Sequence, residues 1–359
     1  MIRMVPGPTA ISAETRRIYG EAWDASPDTN EAFFERYAEC SQRLAELLEA
    51  RRPGTTVALM SGEAMVALWG AVKSVVGPGD RVLCLSNGLF GSGFADMARA
   101  AGSAATLLES DWRGPLDTAA LERELVRAPT RLVTAVHCET PSGLLNTAAV
   151  AEAGRLCRAH GALFLVDFVA SAFGARVSVD EWEIDLGLCG SQKALSLPPD
   201  LGIITVSARA WEAVEARGYE GYDALLPFRT ALERRYMPYT HNWRAVEALA
   251  QRLAATDLAE SLARHERVAR FCRERLAQMG LTPYGAPELA APTVTAVPVP
   301  PGWSWGELRA ALLAEGVELG GSYGPLKDKV MRVGHMGSQA DLELVAVALD
   351  RLEKVLRSK

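Results

Sequence analysis

Short apolar runs alternate with amphipathic stretches from the start of the chain to about Asn242. The apolar runs have the length of buried strands, and the stretches between them repeat apolar residues at helical spacing. Strands that alternate with helices favour a largely parallel sheet with helices on both faces, which is an α/β fold. The predicted strands are Thr55–Met60, Arg81–Ser86, Arg131–His137, Ala162–Asp167, Ile184–Gly190 and Leu201–Ser207, and the helices between them include Glu63–Val75, Thr118–Val126 and Thr147–His160.

The pattern changes after Asn242, where long helical stretches are followed by a few short strands. It predicts a smaller α+β unit, with residues 1–245 as the large domain and 246–359 as the small C-terminal domain. We expect the N-terminal segment to be shared with the small domain. The predicted elements are helices Trp243–Ala254, Leu258–Met279, Trp305–Glu315 and Ala340–Leu356, strands Thr293–Pro298 and Val330–Val333, and a glycine-rich turn at Gly320–Gly324.

Composition and charge narrow the class of protein. At about 150 residues per domain, 359 residues suggest two domains. The net charge is −6, so the chain does not have the excess of basic residues that is typical of a nucleic-acid-binding protein. No apolar run approaches the ~18 residues that a membrane-spanning helix needs, and Met1–Pro6 does not resemble a secretory signal. We therefore expect a cytoplasmic protein that uses neither nucleic acid nor a membrane as a partner.

The six cysteines and five histidines show no metal-ligand spacing. The cysteines are spread along the chain without a C-x-x-C pair, so neither a zinc site nor a disulfide framework is predicted. Cys84 and Cys189 lie inside apolar runs, where a cysteine behaves as a small buried hydrophobe. The sequence predicts no metal site.

Two residues at predicted strand ends carry candidate chemistry. Lys193 follows the apolar strand that ends at Gly190, and a desolvated lysine at such a place has a lowered pKa and attacks carbonyls. Asp167 ends an apolar strand, where a carboxylate is costly unless it meets a cation such as a protonated pyridine nitrogen. Taken singly, Lys193 could be a solvated loop lysine and Asp167 could cap the next turn.

The two residues together, 26 positions apart, resemble the pair found in fold-type I pyridoxal-phosphate enzymes. The chain is more narrowly similar to the class V aminotransferases, in the alanine/serine–glyoxylate group, and the resemblance covers essentially its whole length. It implies a large domain with a mostly parallel, helix-covered sheet, a smaller α+β C-terminal domain, and a pyridoxal 5'-phosphate cofactor. The segments that carry it are Pro6–Pro8, Asn87–Gly91, His137–Gly143, Asp167–Ser171, Gly190–Lys193, Tyr239–Thr240 and Arg332–Gly337.

The resemblance also implies a role for each matching residue. Lys193 forms the Schiff base and moves the proton as general base and acid, and Asp167 pairs with the ring nitrogen. Val169 and Phe90 lie against the two ring faces, and Thr140 reaches the ring hydroxyl.

Further roles follow from the same resemblance. Gln192 contacts the cofactor, and Arg332 binds the substrate carboxylate, which suits its planar guanidinium fork. Tyr239 and Thr240 come from the neighbouring subunit, which implies a homodimer or higher oligomer with shared active sites.

The predicted phosphate site departs from the family. Relatives place Ser-Gly-His or Ser-Gly-Thr at the start of the helix after the first strand, whereas this chain has Ser61-Gly62-Glu63-Ala64-Met65. Glu63 falls at the phosphate-binding serine, and Met237 falls where many relatives supply a tyrosine from the partner. A carboxylate at Glu63 repels a phosphate; alternatively, it only caps the helix and other groups hold the phosphate.

A similar glutamate occurs in pyridoxamine–pyruvate aminotransferases, which take phosphate-free pyridoxamine as a substrate. Gly91–Phe94 also resembles that branch, whereas Tyr323 stands where the branch has a second arginine. The turn Gly320–Leu326 is more similar to the alanine–glyoxylate enzymes.

The sequence thus predicts an aminotransferase that moves an amino group to a small 2-oxo acid, pyruvate or glyoxylate. Pyridoxamine is the favoured donor, and pyridoxal or pyridoxamine would then bind as a substrate without phosphate. An alanine– or serine–glyoxylate aminotransferase that holds pyridoxal phosphate is the alternative. A cysteine desulfurase or lyase on the same fold would need a cysteine on a mobile loop, and no cysteine lies in an obvious one. A non-enzymatic vitamer-binding module would not need Lys193.

Overall fold

The computed structural model describes residues 1–21 and 24–359. The strands are β1 (Ile2–Met4), β2 (Thr56–Ser61), β3 (Arg81–Ser86), β4 (Ala104–Glu109), β5 (Leu132–Val136), β6 (Cys138–Glu139), β7 (Leu144–Leu145), β8 (Leu163–Asp167), β9 (Leu186–Gly190), β10 (Leu201–Val206), β11 (Val294–Pro298), β12 (Val317–Gly321) and β13 (Val330–Gly334). The α-helices are α1 (Ala13–Gly20), α2 (Glu31–Leu47), α3 (Ala64–Val75), α4 (Leu89–Ala100), α5 (Thr118–Arg127), α6 (Thr147–Ala159), α7 (Ala208–Arg217), α8 (Ala231–Arg234), α9 (Trp243–Ala254), α10 (Leu258–Gln278), α11 (Trp305–Ala314) and α12 (Leu342–Arg357).

The larger sheet has seven strands in the order β2-β10-β9-β8-β5-β3-β4. Strand β10 runs antiparallel to both of its neighbours, and the pairs from β9 to β4 are parallel. The predicted α/β fold with a mostly parallel sheet is therefore confirmed.

Strand β8 shows why this sheet is covered on both faces. Its side chains alternate between the faces, so Phe164 and Val166 join one apolar cluster while Leu163 and Leu165 join another. All four are buried. A strand that is buried on both faces needs an unbroken apolar run, which is the pattern that the sequence carries here.

The smaller sheet has four strands in the order β1-β12-β13-β11. Its first strand comes from the N-terminus, where Ile2 pairs in parallel with Val317. Helices α10, α11 and α12 pack on this sheet around a separate apolar cluster. The N-terminal segment therefore begins in the smaller sheet and then runs to the loop around Lys193, where Thr9 N donates to Gln192 O over 3.0 Å.

The glycine-rich turn predicted at Gly320–Gly324 is wrong in its first two residues, because Gly320 and Gly321 belong to strand β12. Glycine is required there by close packing. A Cβ on Gly320 would lie 2.7 Å from Pro6 Cδ, and one on Gly321 would lie 2.5 Å from Trp305 Nε1.

Strand β4 and helices α1, α2 and α4 were not among the predicted elements. Strand β4 is an edge strand that pairs only with β3, and four of its six residues are half-buried. Its apolar pattern is consequently weaker than that of the central strands. None of the helices in the described ranges is both long and apolar enough to span a membrane.

Candidate active site

A cavity of about 410 Å³ lies where the parallel strands of the larger sheet end. Each of β2, β3, β5, β8 and β9 is followed by residues that line it, as expected for the carboxyl ends of strands in an open α/β sheet. Ten of the twelve predicted site residues line this cavity: Glu63, Ala64, Met65, Phe90, Thr140, Asp167, Val169, Gln192, Lys193 and Arg332.

Lys193 reaches into the cavity from the loop after β9. Its Nζ donates a hydrogen bond to Pro6 O over 2.7 Å, and Thr9 Oγ1 donates to the Lys193 carbonyl over 2.9 Å. A Cβ on Gly7 would lie 2.6 Å from Nζ, so only glycine lets the N-terminal segment pass this close. Burial, together with the charge of Arg332, lowers the pKa of Lys193 to about 8. The amine is therefore partly neutral near physiological pH.

Asp167 ends strand β8 and is buried. Its Oδ1 accepts a hydrogen bond from Val169 N over 2.8 Å, so one oxygen caps the following turn. Within the described ranges Oδ2 accepts no hydrogen bond and is left for a cationic N–H group. Burial raises the pKa of Asp167 to about 6, and Lys193 offsets part of this effect.

Phe90 lies at the start of helix α4 and lines the cavity. It is partly exposed to that cavity rather than fully enclosed in the core. Its backbone N–H donates to Glu139 Oε2 over 3.2 Å. Cys138 and Thr140, on either side of Glu139, line the cavity as well.

Arg332 lies on strand β13 and is buried. Its Nε donates to Gly321 O over 2.7 Å, and its guanidinium carbon lies 4.7 Å from the centre of the Tyr323 ring. Burial lowers the pKa of Arg332, although such a group stays protonated at any physiological pH. With Nε committed to a backbone carbonyl, the terminal nitrogens remain to bind a carboxylate.

Glu63 occupies the N-cap position of α3, but its side chain makes no capping hydrogen bond. The capping hydrogen bond expected in the alternative is therefore not formed, and the binding of phosphate by other groups stays a prediction. Glu63 Oε2 instead accepts a hydrogen bond from Gln192 Nε2 over 3.4 Å. Gln192 is buried, and its Oε1 has no hydrogen-bond partner among the described residues. The first turn of α3 thus presents a carboxylate to the cavity, and this carboxylate is in contact with the Gln192 amide.

Tyr239 and Thr240 lie outside this cavity, on the exposed surface of the same chain. Tyr239 packs on Tyr222 with a ring-centre distance of 4.3 Å. Met237 is buried in the core of its own chain. A contribution of Tyr239 and Thr240 to a neighbouring subunit's site stays a prediction.

Several lining or supporting residues were not assigned as site residues from the sequence, among them Pro6, Cys138, Glu139 and Tyr323. Pro6 acts through its backbone carbonyl, which no sequence pattern reveals. Cys138 and Glu139 belong to the quoted His137–Gly143 segment, so strand alternation about Thr140 could have identified the first as cavity-facing.

The residues that line the cavity fit a pyridoxal ring. Asp167 Oδ2 accepts no hydrogen bond within the described ranges and suits a protonated ring nitrogen, and the amine of Lys193 suits a ring aldehyde. The cations that line the cavity are Lys193 and Arg332, whereas the start of α3 carries Glu63. A phosphate placed there would meet the negative charge of Glu63, which lies within hydrogen-bond distance of the Gln192 amide.

The fold and this site define a fold-type I enzyme of the aminotransferase kind. The chain belongs to the aminotransferase class-V family, whose pattern matches residues 9–324. This family depends on pyridoxal phosphate.

The chain is 30% identical to (S)-ureidoglycine–glyoxylate transaminase of Bacillus subtilis, over 98% of this chain and 90% of that protein. It is 29% identical to pyridoxamine–pyruvate transaminase of Mesorhizobium japonicum, again over 98% and 90%. The crystal structure of alanine–glyoxylate aminotransferase from Nostoc sp. superposes with a TM-score of 0.93 at 28% identity, covering 99% of this chain and 95% of that one.

Proposed function

We propose that this aminotransferase transfers the amino group of phosphate-free pyridoxamine to a small 2-oxo acid such as pyruvate or glyoxylate. The observation that carries the proposal is the contact between Glu63 and Gln192 in the cavity. It puts a carboxylate at the helix start that would otherwise bind phosphate, and it directs one N–H group of the Gln192 amide to that carboxylate. A neutral hydroxymethyl group can donate to a carboxylate, whereas a phosphate is repelled.

The charges that line the cavity support the same substrate. They are the carboxylates of Glu63 and Asp167 and the cations of Lys193 and Arg332. In this proposal Asp167 faces the ring nitrogen, Lys193 faces the ring aldehyde or amine, and Arg332 faces the acid. No lining cation is then left to neutralise a phosphate that carries nearly two negative charges.

A bound pyridoxal ring supplies an electron sink that stabilises negative charge at the carbon losing a proton. Asp167 would hold a protonated ring nitrogen through Oδ2, which would strengthen that sink. Lys193 Nζ takes the proton from one carbon and returns it to the other, as a base with a pKa near the working pH can do. Pro6 O holds Nζ in place between these steps.

Arg332 orients the acid. Its fork can bind one carboxylate through two parallel hydrogen bonds, and the Tyr323 ring covers one face of the guanidinium. A single such cation suits a monocarboxylic 2-oxo acid better than a dicarboxylic one.

A second candidate is an alanine– or serine–glyoxylate aminotransferase that holds pyridoxal phosphate. Tyr323 favours it, because this residue stands where the pyridoxamine-using branch carries a second arginine. In that candidate Thr240 of a neighbouring subunit would contribute to the phosphate site, in a homodimer with shared sites.

A cysteine desulfurase or lyase has less support. All six cysteines are free and buried. Cys138 is the cysteine that lines the cavity, and burial raises the pKa of its thiol to about 12, which makes it a poor nucleophile at neutral pH.

The direct test is amino transfer by the purified protein. Pyridoxamine with pyruvate or glyoxylate should yield pyridoxal together with alanine or glycine, and no phosphate ester should be needed. The proposal is contradicted if pyridoxamine is not consumed while alanine or serine transfers its amino group to glyoxylate only after pyridoxal phosphate is added.

A further inference from the structure

Glu139 carries a fully buried carboxylate that the reaction described above does not use. Its Oε1 accepts a hydrogen bond from Gly91 N over 2.6 Å, and its Oε2 accepts one from Phe90 N over 3.2 Å. These N–H groups are the unpaired donors in the first turn of helix α4. The carboxylate therefore caps a helix from a different segment of the chain.

The residues on either side of Glu139 point the other way. Side chains alternate along extended backbone, and Cys138 and Thr140 line the cavity whereas Glu139 does not. Phe90, whose backbone Glu139 holds, lines the same cavity from helix α4. One carboxylate thus joins the wall that carries Thr140 to the wall that carries the Phe90 ring.

The residue that would normally cap this helix is a glycine. Gly88 is the N-cap of α4 and offers no side chain. A Cβ at this position would lie 2.3 Å from Glu139 Cδ, so Gly88 leaves the space that the carboxylate fills. Its φ of −177° is open to any residue, so packing against Glu139 explains the glycine and backbone conformation does not.

We propose that Glu139 is a positioning residue for the pyridoxal ring, which fixes the Phe90 wall of the cavity relative to the Cys138–Thr140 wall. Stability alone does not require this arrangement, because a serine at position 88 would cap the helix without burying a carboxylate. Burial without a cationic partner raises the pKa of Glu139 to about 7. A costly buried group is consistent with a role that a local cap would not fill.

Two substitutions separate capping from positioning. Glu139→Ala removes the cap and the link between the walls. Gly88→Ser combined with Glu139→Ala restores a cap within the helix, in the space that the shortened side chain vacates, but leaves the two walls unlinked. Ser92→Ala is the matched control, since it removes a hydrogen bond from Ser92 Oγ to Gly88 O at the same helix start and leaves Glu139 untouched.

Each variant is examined by its melting temperature, by absorbance titration with pyridoxal, and by the circular dichroism of the bound pyridoxal band, which reports ring orientation. We expect Glu139→Ala to melt earlier and to bind pyridoxal about tenfold more weakly, the order expected for loss of a charge-assisted contact. The double variant should regain the melting temperature but keep the weak binding and the altered band. The Ser92→Ala control should bind pyridoxal like the unmodified protein.

Recovery of both binding and band in the double variant would overturn the proposal, since a cap alone would then suffice. If the alanine variants do not fold, Glu139→Gln is the deciding variant, because its amide keeps the volume but replaces one of the two accepting oxygens by an N–H donor. Weaker pyridoxal binding and an altered band in that variant support positioning, and unchanged values refute it.

This inference rests on the proposed use of the cavity for a pyridoxal ring, but the two can fail separately. If the unmodified protein prefers pyridoxal phosphate, the proposed donor is wrong, and the same variants are compared with that ring as the probe.

Discussion

Gln192 Nε2 donates its hydrogen bond to Glu63 Oε2 over 3.4 Å, between the lysine loop and the start of helix α3. An amide next to the reactive lysine and the first turn of a helix would together make a binding site for an anion. Here the amide instead contacts a carboxylate of the protein itself, that of Glu63. In the proposed function, this contact determines which form of the ring the cavity accepts.

Replacing Glu63 by serine should shift the binding preference of the cavity from pyridoxal towards pyridoxal phosphate. The change removes a negative charge, frees the Gln192 amide and adds a hydroxyl at the helix start. We expect pyridoxal phosphate to bind at least about tenfold more tightly, since repulsion between close charges near a protein surface reaches a few kcal/mol. Absorbance titration measures the affinity. Glu35→Ser, which removes the same charge from an exposed position on α2, is the control; an equal gain there would mean that net charge alone is responsible.

Asp167→Asn should weaken ring binding and at the same time stabilise the ligand-free protein. The pKa of Asp167 rises from 3.8 to about 6 in the folded chain because of burial. Between these pH values the folded state binds more protons than the unfolded state, so stability falls as pH rises through this range and stays lower above it. We expect the free energy of unfolding of the variant to exceed that of the unmodified protein by about 1–3 kcal/mol at pH 8 and by almost nothing at pH 3.5. Denaturant unfolding at both pH values measures this difference in free energy. An equal difference at pH 3.5 and pH 8 would contradict the raised pKa of Asp167.

Arg332→Lys should separate acid binding from ring binding. Lysine keeps the charge but loses the planar fork that binds a carboxylate with two hydrogen bonds. We expect KM for the 2-oxo acid to rise between about tenfold and a few hundredfold, while pyridoxal affinity changes less than about twofold. Steady-state kinetics and absorbance titration measure the two effects. A parallel loss of pyridoxal affinity would show that Arg332 supports the ring instead.

The amine of Lys193 should react with pyridoxal in a pH-dependent way. Because its pKa is lowered to about 8, the neutral fraction increases through this value and then levels off. The initial rate of borohydride-trapped attachment at Lys193 should therefore rise between pH 6 and 8 and change little above pH 9. Peptide mass spectrometry locates the adduct, with the exposed Lys327 as an internal control. A rate that keeps rising to pH 10.5 would mean that the amine is not desolvated.

Much of the sheet and most of the cavity could be predicted from the sequence, because buried parallel strands leave unbroken apolar runs. Asp167 and Lys193 could be recognised because each follows such a run. The carboxyl ends of the strands in an open α/β sheet are where ligands bind. The edge strand β4 lacks that signal, because only part of its surface is buried.

Contacts between distant segments could not be predicted. The capping of helix α4 by Glu139 joins residues 48 positions apart, and the hydrogen bond from Lys193 to Pro6 joins residues 187 apart. Neither depends on local pattern. For Glu63, local chemistry suggests a helix cap, and only the position of Gln192 shows that the carboxylate turns into the cavity instead.

The most direct test of the account is to purify the protein without added cofactor, record its absorption spectrum, and titrate it separately with pyridoxal and with pyridoxal phosphate. We predict a protein without a visible band that gains one on adding pyridoxal, at least about tenfold more tightly than on adding pyridoxal phosphate. A yellow band that is present from the start and survives dialysis, or tighter binding of the phosphate form, would contradict a phosphate-free substrate and with it the role given to Glu63.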